Sequence, residues 1–98
     1  MKESDVEKYL EKVVKSLGGE TRKVKWIGRP HAPDRVVMFP LSPGTVGNHQ
    51  PVIWVELKRP GGKARAGQLR EHTRMRRLGQ NVVVLDSIGA IDKWASEL

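Results

Sequence analysis

Residues 52–58 read Val-Ile-Trp-Val-Glu-Leu-Lys and are followed by Pro-Gly-Gly at residues 60–62. The run is rich in β-branched and aromatic residues, and the proline and glycines stop it, so the sequence predicts a β-strand over 52–58. Side chains alternate along a strand, which puts Glu56 and Lys58 on one face with Trp54, about 7 Å apart along the chain. An acid and a base on a hydrophobic strand predict either a chemical site or a strand end that emerges into solvent.

The rest of the chain predicts six further elements around this strand. Apolar residues at helical spacing, with Ser4 and Glu7 as a capping box, indicate a first helix that ends at Gly18-Gly19. The remaining elements are predicted as strands over 21–27, 34–39 and 81–85, and helices over 64–78 and 88–98. Residues 40–51 hold three prolines and two glycines and predict a long hairpin connection.

These elements give an α/β fold in the order α-β-β-β-α-β-α. The 98 residues are enough for one domain, spanning 1–98, because so short a chain cannot build two cores. We expect the helix over 64–78 to turn Leu69, Met75 and Leu78 inward.

Composition excludes several classes of protein. With 38% hydrophobic and 30% charged residues the chain is globular, and no apolar run is long enough for a membrane span. There are no cysteines, so disulfides, thiolate zinc sites and cysteine nucleophiles are excluded, and a cytoplasmic location is expected. Walker A, GxGxxG and zinc-spacing motifs are absent from the sequence, which gives no support to a nucleotide cofactor.

Charge predicts a polyanionic partner. The chain has 18 Lys and Arg against 11 Asp and Glu, a net charge of +7. Eight of these cations lie between Lys58 and Arg77, where Glu71 is the one acid. Such a patch repels itself unless phosphates neutralise it, so we expect a nucleic acid as the partner. The residues expected to bind DNA are Arg35, Arg59, Lys63, Arg65, Arg70, Arg74 and Arg77.

A second carboxylate precedes the predicted strand over 34–39. If that strand and the strand over 52–58 pair as a hairpin, Asp34 and Glu56 converge. Two carboxylates in a basic groove form a site for Mg²⁺ or Mn²⁺. Pro33-Asp34, a gap of some twenty residues, and Glu56-Leu57-Lys58 also match the PD-(D/E)XK nuclease signature.

Further residues resemble one family within that superfamily. Glu3–Glu7, Gly18-Gly19, Pro33–Arg35, Val55–Lys58, and Gln68 with His72 resemble the virus-type replication-repair nuclease (VRR-NUC) domain over nearly the whole chain. The resemblance implies a restriction-endonuclease-like core, with a central mixed sheet flanked by helices. It also implies metal-dependent phosphodiester hydrolysis, homodimerisation, and cleavage of branched DNA such as Holliday junctions. One departure is His31, which stands where the family often has glycine.

The chemistry of these residues predicts their roles. Asp34 and Glu56 would ligate the metal together with the Leu57 carbonyl, and Lys58 would orient the attacking water and neutralise phosphate charge. Gln68 is expected to face the site from the following helix, as the resemblance suggests, the alternative being an exposed surface amide.

One acid of the first helix often reaches the metal in PD-(D/E)XK relatives. Glu3 is slightly favoured because it lies nearer the apolar direction of that helix, and Glu7 is the other candidate. His72 shares the helix face of Gln68, and we interpret it as a satisfied interfacial histidine rather than a general base.

Two other functions remain open from the sequence. One is a non-catalytic basic module that binds nucleic acid through phosphate contacts. The other is a sequence-specific restriction endonuclease, for which the chain leaves little room beyond the core. A homodimer is expected because a four-way junction needs two symmetric incisions, and Met38, Phe39, Trp94 and Leu98 supply apolar surface for the contact.

Overall fold

The computed structural model describes residues 1–40 and 52–98, and within them it has the predicted order α-β-β-β-α-β-α. The connection expected over residues 40–51 lies outside the described residues, apart from Pro40. The elements are α1 (Glu3–Ser16), β1 (Glu20–Lys23), β2 (Arg35–Met38), β3 (Val52–Leu57), α2 (Ala66–Arg77), β4 (Asn81–Leu85) and α3 (Ile88–Ser96).

The four strands form one mixed sheet in the order β1-β2-β3-β4. The pairs β1–β2 and β2–β3 are antiparallel, whereas β3 and β4 are parallel, with Trp54 opposite Val36 on one side and Val82 on the other. Parallel neighbours need a crossover connection, which α2 supplies. The α/β architecture with a mixed central sheet is therefore confirmed.

The hydrophobic core lies between one face of this sheet and helices α1 and α3. Val55 and Leu57 of β3 point into it, as the alternation of the strand predicts. The hydroxyl of Tyr9 donates a hydrogen bond of 2.6 Å to Asp92, which joins α1 to α3. Among the residues that form the core cluster are Val6, Leu10, Val14, Val37, Ile53, Leu85 and Ile91.

Helix α2 packs on the opposite face, and its orientation differs from the prediction. Met75 is buried, but Leu69 and Leu78 are 50% and 79% exposed. The residues that α2 buries in their place are polar, Glu71 and His72. The prediction is wrong because the helix turns a polar face toward Glu56, which lies on this side of β3.

The first helix begins two residues earlier than a cap at Ser4 predicts, because its N-terminal cap is Lys2. The backbone N–H of Lys2 donates to the Asp5 carboxylate at 2.8 Å, so the predicted pairing of Ser4 with Glu7 does not form. Glu7 instead binds Arg35. The C-terminal end is as predicted, since Gly18 has a φ of 82°, which glycine adopts without steric cost.

Two of the residues expected to be left over for a dimer contact belong to the core. Phe39 is 5% exposed, and Trp94 packs against it with ring centroids 6.4 Å apart. Met38 is half-buried, and Leu98 is 39% exposed. Among the described residues, no helix is long and apolar enough to cross a lipid bilayer.

Candidate active site

Asp34 lies at the point where β2 begins and β3 ends. The antiparallel pairing of Arg35 with Val55 brings these two strand ends together. The Asp34 carbonyl accepts a hydrogen bond from the Val24 N–H at 3.0 Å, and its carboxylate accepts one from the Leu57 N–H at 2.7 Å. The backbone of Asp34 is therefore fixed to the residue that follows β1, and its side chain is fixed to the last residue of β3.

The Glu56 carboxylate is buried next to Asp34, and the residue is 1% exposed. Its Oε2 accepts a hydrogen bond from Gln68 Nε2 at 3.2 Å and lies 3.6 Å from Lys58 Nζ. Its Oε1 has no hydrogen-bond partner among the described residues. Burial, together with the contact and negative charge of Asp34, raises the pKa of Glu56 to about 8, although Lys58 acts in the opposite direction.

His72 lies against this carboxylate from α2 and is fully buried. Its Nε2 is 3.7 Å from Glu56 Oε1, too far for a hydrogen bond, and neither ring nitrogen has a partner among the described residues. Burial, and then the positive charge of Arg76, lowers the pKa of His72. The histidine is interfacial as interpreted from the sequence, but it is not satisfied.

A cavity of about 370 Å³ opens beside Asp34 and Leu57. Both candidate glutamates of α1, Glu3 and Glu7, line it. Glu7 is also held by Arg35 Nε at 3.1 Å. The structure therefore brings both acids to the same cavity as Asp34, and the choice between them stays open.

Arg35 is not available to DNA in this structure. It is 7% exposed, and its guanidinium donates to Glu7, to Glu11 at 2.8 Å and to Thr21 at 2.9 Å. This corrects the expectation that Arg35 binds DNA. The sequence carried a signal for this, because Arg35 shares the core face of its strand with Val37, and the two glutamates are spaced i, i+4 on α1.

The other cations expected to bind DNA are all exposed: Arg59, Lys63, Arg65, Arg70, Arg74 and Arg77. His31, the departure from the family pattern, has a φ of 71°, the one positive φ of a non-glycine residue in the described part of the chain. It thus adopts the left-handed conformation that glycine takes most readily, and the loop keeps the geometry that a glycine would give it.

The donor set fits a divalent cation of the Mg²⁺ or Mn²⁺ type. Within residues 1–40 and 52–98 no three acidic or histidine side chains form a complete ligand group. Two carboxylates nevertheless meet, and one oxygen of Glu56 is buried without a partner. Such an oxygen is costly to leave unpaired, and hard carboxylate oxygens are the ligands that these cations prefer.

Comparison with known proteins is consistent with this geometry. No protein-family model matches the chain. It is 40% identical over 87 residues to "Putative nuclease p44" of Acyrthosiphon pisum secondary endosymbiont phage 1, covering 89% of this chain and 85% of the phage protein. A solved structure described as a VRR_NUC domain is 38% identical, with a TM-score of 0.77 over 93% of this chain and 90% of that one. The chain therefore belongs to the VRR-NUC family of nucleases.

Proposed function

We propose that this nuclease is a divalent-metal-dependent DNA endonuclease that acts on branched DNA such as Holliday (four-way) junctions. The observation that carries the proposal is the meeting of Asp34 and Glu56, with Glu56 Oε1 buried and without a hydrogen-bond partner in the part of the chain that the structure describes. A bound Mg²⁺ or Mn²⁺ would supply polarisation of the scissile phosphate and a bound water of lowered pKa.

The residues that would hold the cation are Asp34, Glu56 and the Leu57 carbonyl, with Glu3 or Glu7 from α1. The Leu57 N–H orients the Asp34 carboxylate at 2.7 Å. Gln68 orients Glu56 by donating to Oε2, and its own Oε1 accepts from the Arg65 N–H at 2.8 Å. These bonds fix the carboxylates before any ligand arrives, which reduces the entropic cost of assembling the site.

Lys58 supplies the positive charge next to the reacting phosphate. Its side chain is 18% exposed, so the ammonium reaches the surface while it stays 3.6 Å from Glu56. In that place it orients the attacking water and neutralises the charge that develops on the phosphate. No side chain is required to form a covalent intermediate.

The exposed cations support DNA as the substrate. Three of the six exposed residues named above lie on α2, and the other three lie in the segment that joins β3 to α2. They contact phosphates rather than bases in our proposal, since exposed Lys and Arg side chains bind phosphate oxygens without reading the sequence. A substrate recognised by its shape, a branched DNA, suits such a surface better than one recognised by its sequence.

We further propose a homodimer that works in the cytoplasm of a bacterial cell or phage-infected host. A four-way junction is resolved by two incisions on symmetry-related strands, and one chain carries one pair of carboxylates. A two-fold pair of chains supplies two sites at a fixed separation.

Cleavage of labelled duplex, flap and four-way junction DNA, with and without Mg²⁺ or Mn²⁺, tests the proposal. The expected result is metal-dependent cleavage of the junction, abolished in Asp34→Ala, Glu56→Ala or Lys58→Ala with DNA binding retained. Glu97→Gln, a change at an exposed acid of the C-terminal end, serves as the control. Binding without cleavage under every condition would instead favour a non-catalytic basic module.

A further inference from the structure

A buried carboxylate outside the candidate metal site holds two arginines. The side chain of Glu71 on α2 is 6% exposed, and its Oε1 accepts a hydrogen bond of 2.7 Å from Arg29 Nη2. The same oxygen accepts two from Arg74, 2.7 Å from Nη2 and 3.1 Å from Nε. The side chains of Arg29 and Arg74 are 54% and 44% exposed. Two exposed guanidinium groups therefore converge on one buried oxygen.

The positive charges of this cluster outnumber its negative charge. Two guanidinium groups and one carboxylate leave a net charge of +1. A guanidinium has five N–H donors, and Glu71 takes one from Arg29 and two from Arg74. Within residues 1–40 and 52–98 these two side chains have no other hydrogen-bond acceptor. Free donors and excess charge at a surface are the requirements for binding an anion with planar or tetrahedral oxygens.

Glu71 also fixes the two arginines in place. Burial disfavours the ionised carboxylate, but the hydrogen bonds from Arg74 and Arg29 outweigh it and hold the pKa of Glu71 below its usual value. The carboxylate is thus charged at neutral pH and keeps both guanidinium groups ordered. An arginine that is already ordered loses less side-chain entropy when it binds a phosphate.

The Glu71 cluster lies close to the candidate metal site. Glu71 follows Gln68 by three residues, about 4.5 Å along the helix axis, and Gln68 donates to Glu56. Arg29 lies in the loop that leads to Asp34. The cluster is thus about one helical turn from the residue that holds Glu56, which puts it within reach of a neighbouring backbone phosphate when one phosphate lies at Glu56 and Lys58. Sequence reasoning missed Arg29 because only the tertiary contact with Glu71 separates it from other loop arginines.

We propose that Arg29 and Arg74, held by Glu71, form a binding site for a DNA backbone phosphate next to the cleaved bond. This inference rests on the proposed function, since it requires DNA as the substrate. It adds Arg29 as a binding residue and assigns Glu71 as its positioning residue.

The test compares Arg29→Ala with Arg22→Ala as a matched control. Arg22 on β1 is also exposed, at 59%, and also pairs with a glutamate, Glu20, at 2.7 Å, but it lies on the edge strand farthest from β4. Binding of a labelled four-way junction is measured by fluorescence anisotropy over a range of salt, in EDTA so that no cleavage occurs. Arg29→Ala is expected to weaken binding about tenfold, as loss of a charged hydrogen bond does. It should also flatten the slope of log affinity against log salt by about 0.9.

Arg74→Ala is expected to give the same two changes, and it leaves the Arg29–Glu71 ion pair that joins the loop to α2. The inference would be overturned if Arg29→Ala and Arg74→Ala had the same affinity and the same salt slope as the control Arg22→Ala. The cluster would then be a structural contact. A loss of affinity with an unchanged salt slope would overturn it as well. If the wild-type chain binds no DNA, the proposed function itself fails, and this inference with it.

Discussion

The imidazole ring of His31 lies against the backbone of Gly67, so closely that a Cβ atom at residue 67 would overlap the ring. Gly67 is the second residue of α2, and His31 is three residues before Asp34. The contact therefore seats the loop that leads to Asp34 directly on the helix that carries Gln68. A larger residue at position 67 would therefore have to displace the His31 ring or its loop.

Gly67→Ala should consequently impair cleavage. The added methyl group overlaps the His31 ring, which is exposed and can rotate away, so the loss of rate should be severalfold rather than complete. It arises where the loop moves with the ring and shifts Asp34 relative to Glu56, because the rate depends steeply on the position of a catalytic group. His31→Gly should restore most of the activity of Gly67→Ala, because it removes the ring and fits the φ of 71°. Single-turnover cleavage of a junction is measured for the wild type, the two single variants and the double variant. The four rates give the coupling energy between residues 31 and 67.

A second glycine supplies the control for this cycle. Gly89 is also the second residue of its helix, α3, and a Cβ there would meet only Ser87 Oγ at an ordinary distance of 3.9 Å. Gly89→Ala should leave cleavage unchanged and raise stability slightly, since alanine favours a helix by about 1 kcal/mol over glycine. Additive effects of Gly67→Ala and His31→Gly would contradict the proposed contact.

Metal binding should be visible without any cleavage. A ligand that binds only the folded state raises its melting temperature, so Mn²⁺ or Mg²⁺ should stabilise the wild-type chain in a concentration-dependent way. Asp34→Asn and Glu56→Gln should lose this response, whereas Glu97→Gln should keep it. Differential scanning fluorimetry with and without EDTA makes the measurement. The same rise in Asp34→Asn as in the wild type would place the cation elsewhere.

Strand β3 and helix α2 show which parts of the site the sequence could predict and which it could not. Alternation along residues 52–58 was enough to put Glu56 and Lys58 on one face, and strand pairing then brought Asp34 to them. Helix α2 was harder, since Leu69 and Leu78 fit an apolar face but are exposed. Periodicity arguments place the hydrophobic residues of a helix in the core. They therefore fail for a helix such as α2, whose buried side is polar because it faces the candidate site.

Replacement of Arg35 should act on folding rather than on DNA binding. Arg35→Met leaves Glu7, a half-buried acid, without its ion pair. The free energy of unfolding should fall by about 2 kcal/mol. This is less than the loss of a fully buried ion pair costs, because Glu7 and Glu11 are partly exposed. Arg70→Ala, at an exposed position, should weaken DNA binding with little change in stability. Urea unfolding and anisotropy on both variants check this. An Arg35→Met protein of wild-type stability would contradict the burial of that ion pair.

Stability in acid should depend on Glu71. Its pKa is lowered in the folded chain from the ordinary value of 4.5, so it contributes stability that is present above pH 4.5 and is lost as the pH falls below it. Glu71→Gln should be less stable than the wild type at pH 6, and the difference should shrink between pH 4.5 and pH 3. Urea unfolding across that range gives the two curves. Parallel curves would mean that the arginines do not stabilise the carboxylate.

The proposed function requires two incisions, and the oligomeric state tests how the protein would make them. Phe39 and Trp94 are committed to the core, so a dimer has to use other surface, and a stable interface buries on the order of 1,200–2,000 Å² in total. Sedimentation equilibrium at micromolar concentration should give the mass of two chains, and the melting temperature should rise with protein concentration.

The functional test of the dimer mixes wild-type chains with an excess of Glu56→Gln and supplies a supercoiled plasmid that extrudes a cruciform. A heterodimer has one working site, so nicked circles should replace the linear product that two active sites give. A mass of one chain with junction cleavage retained, or a linear product that falls only in proportion to the wild-type chains present, would contradict the dimer.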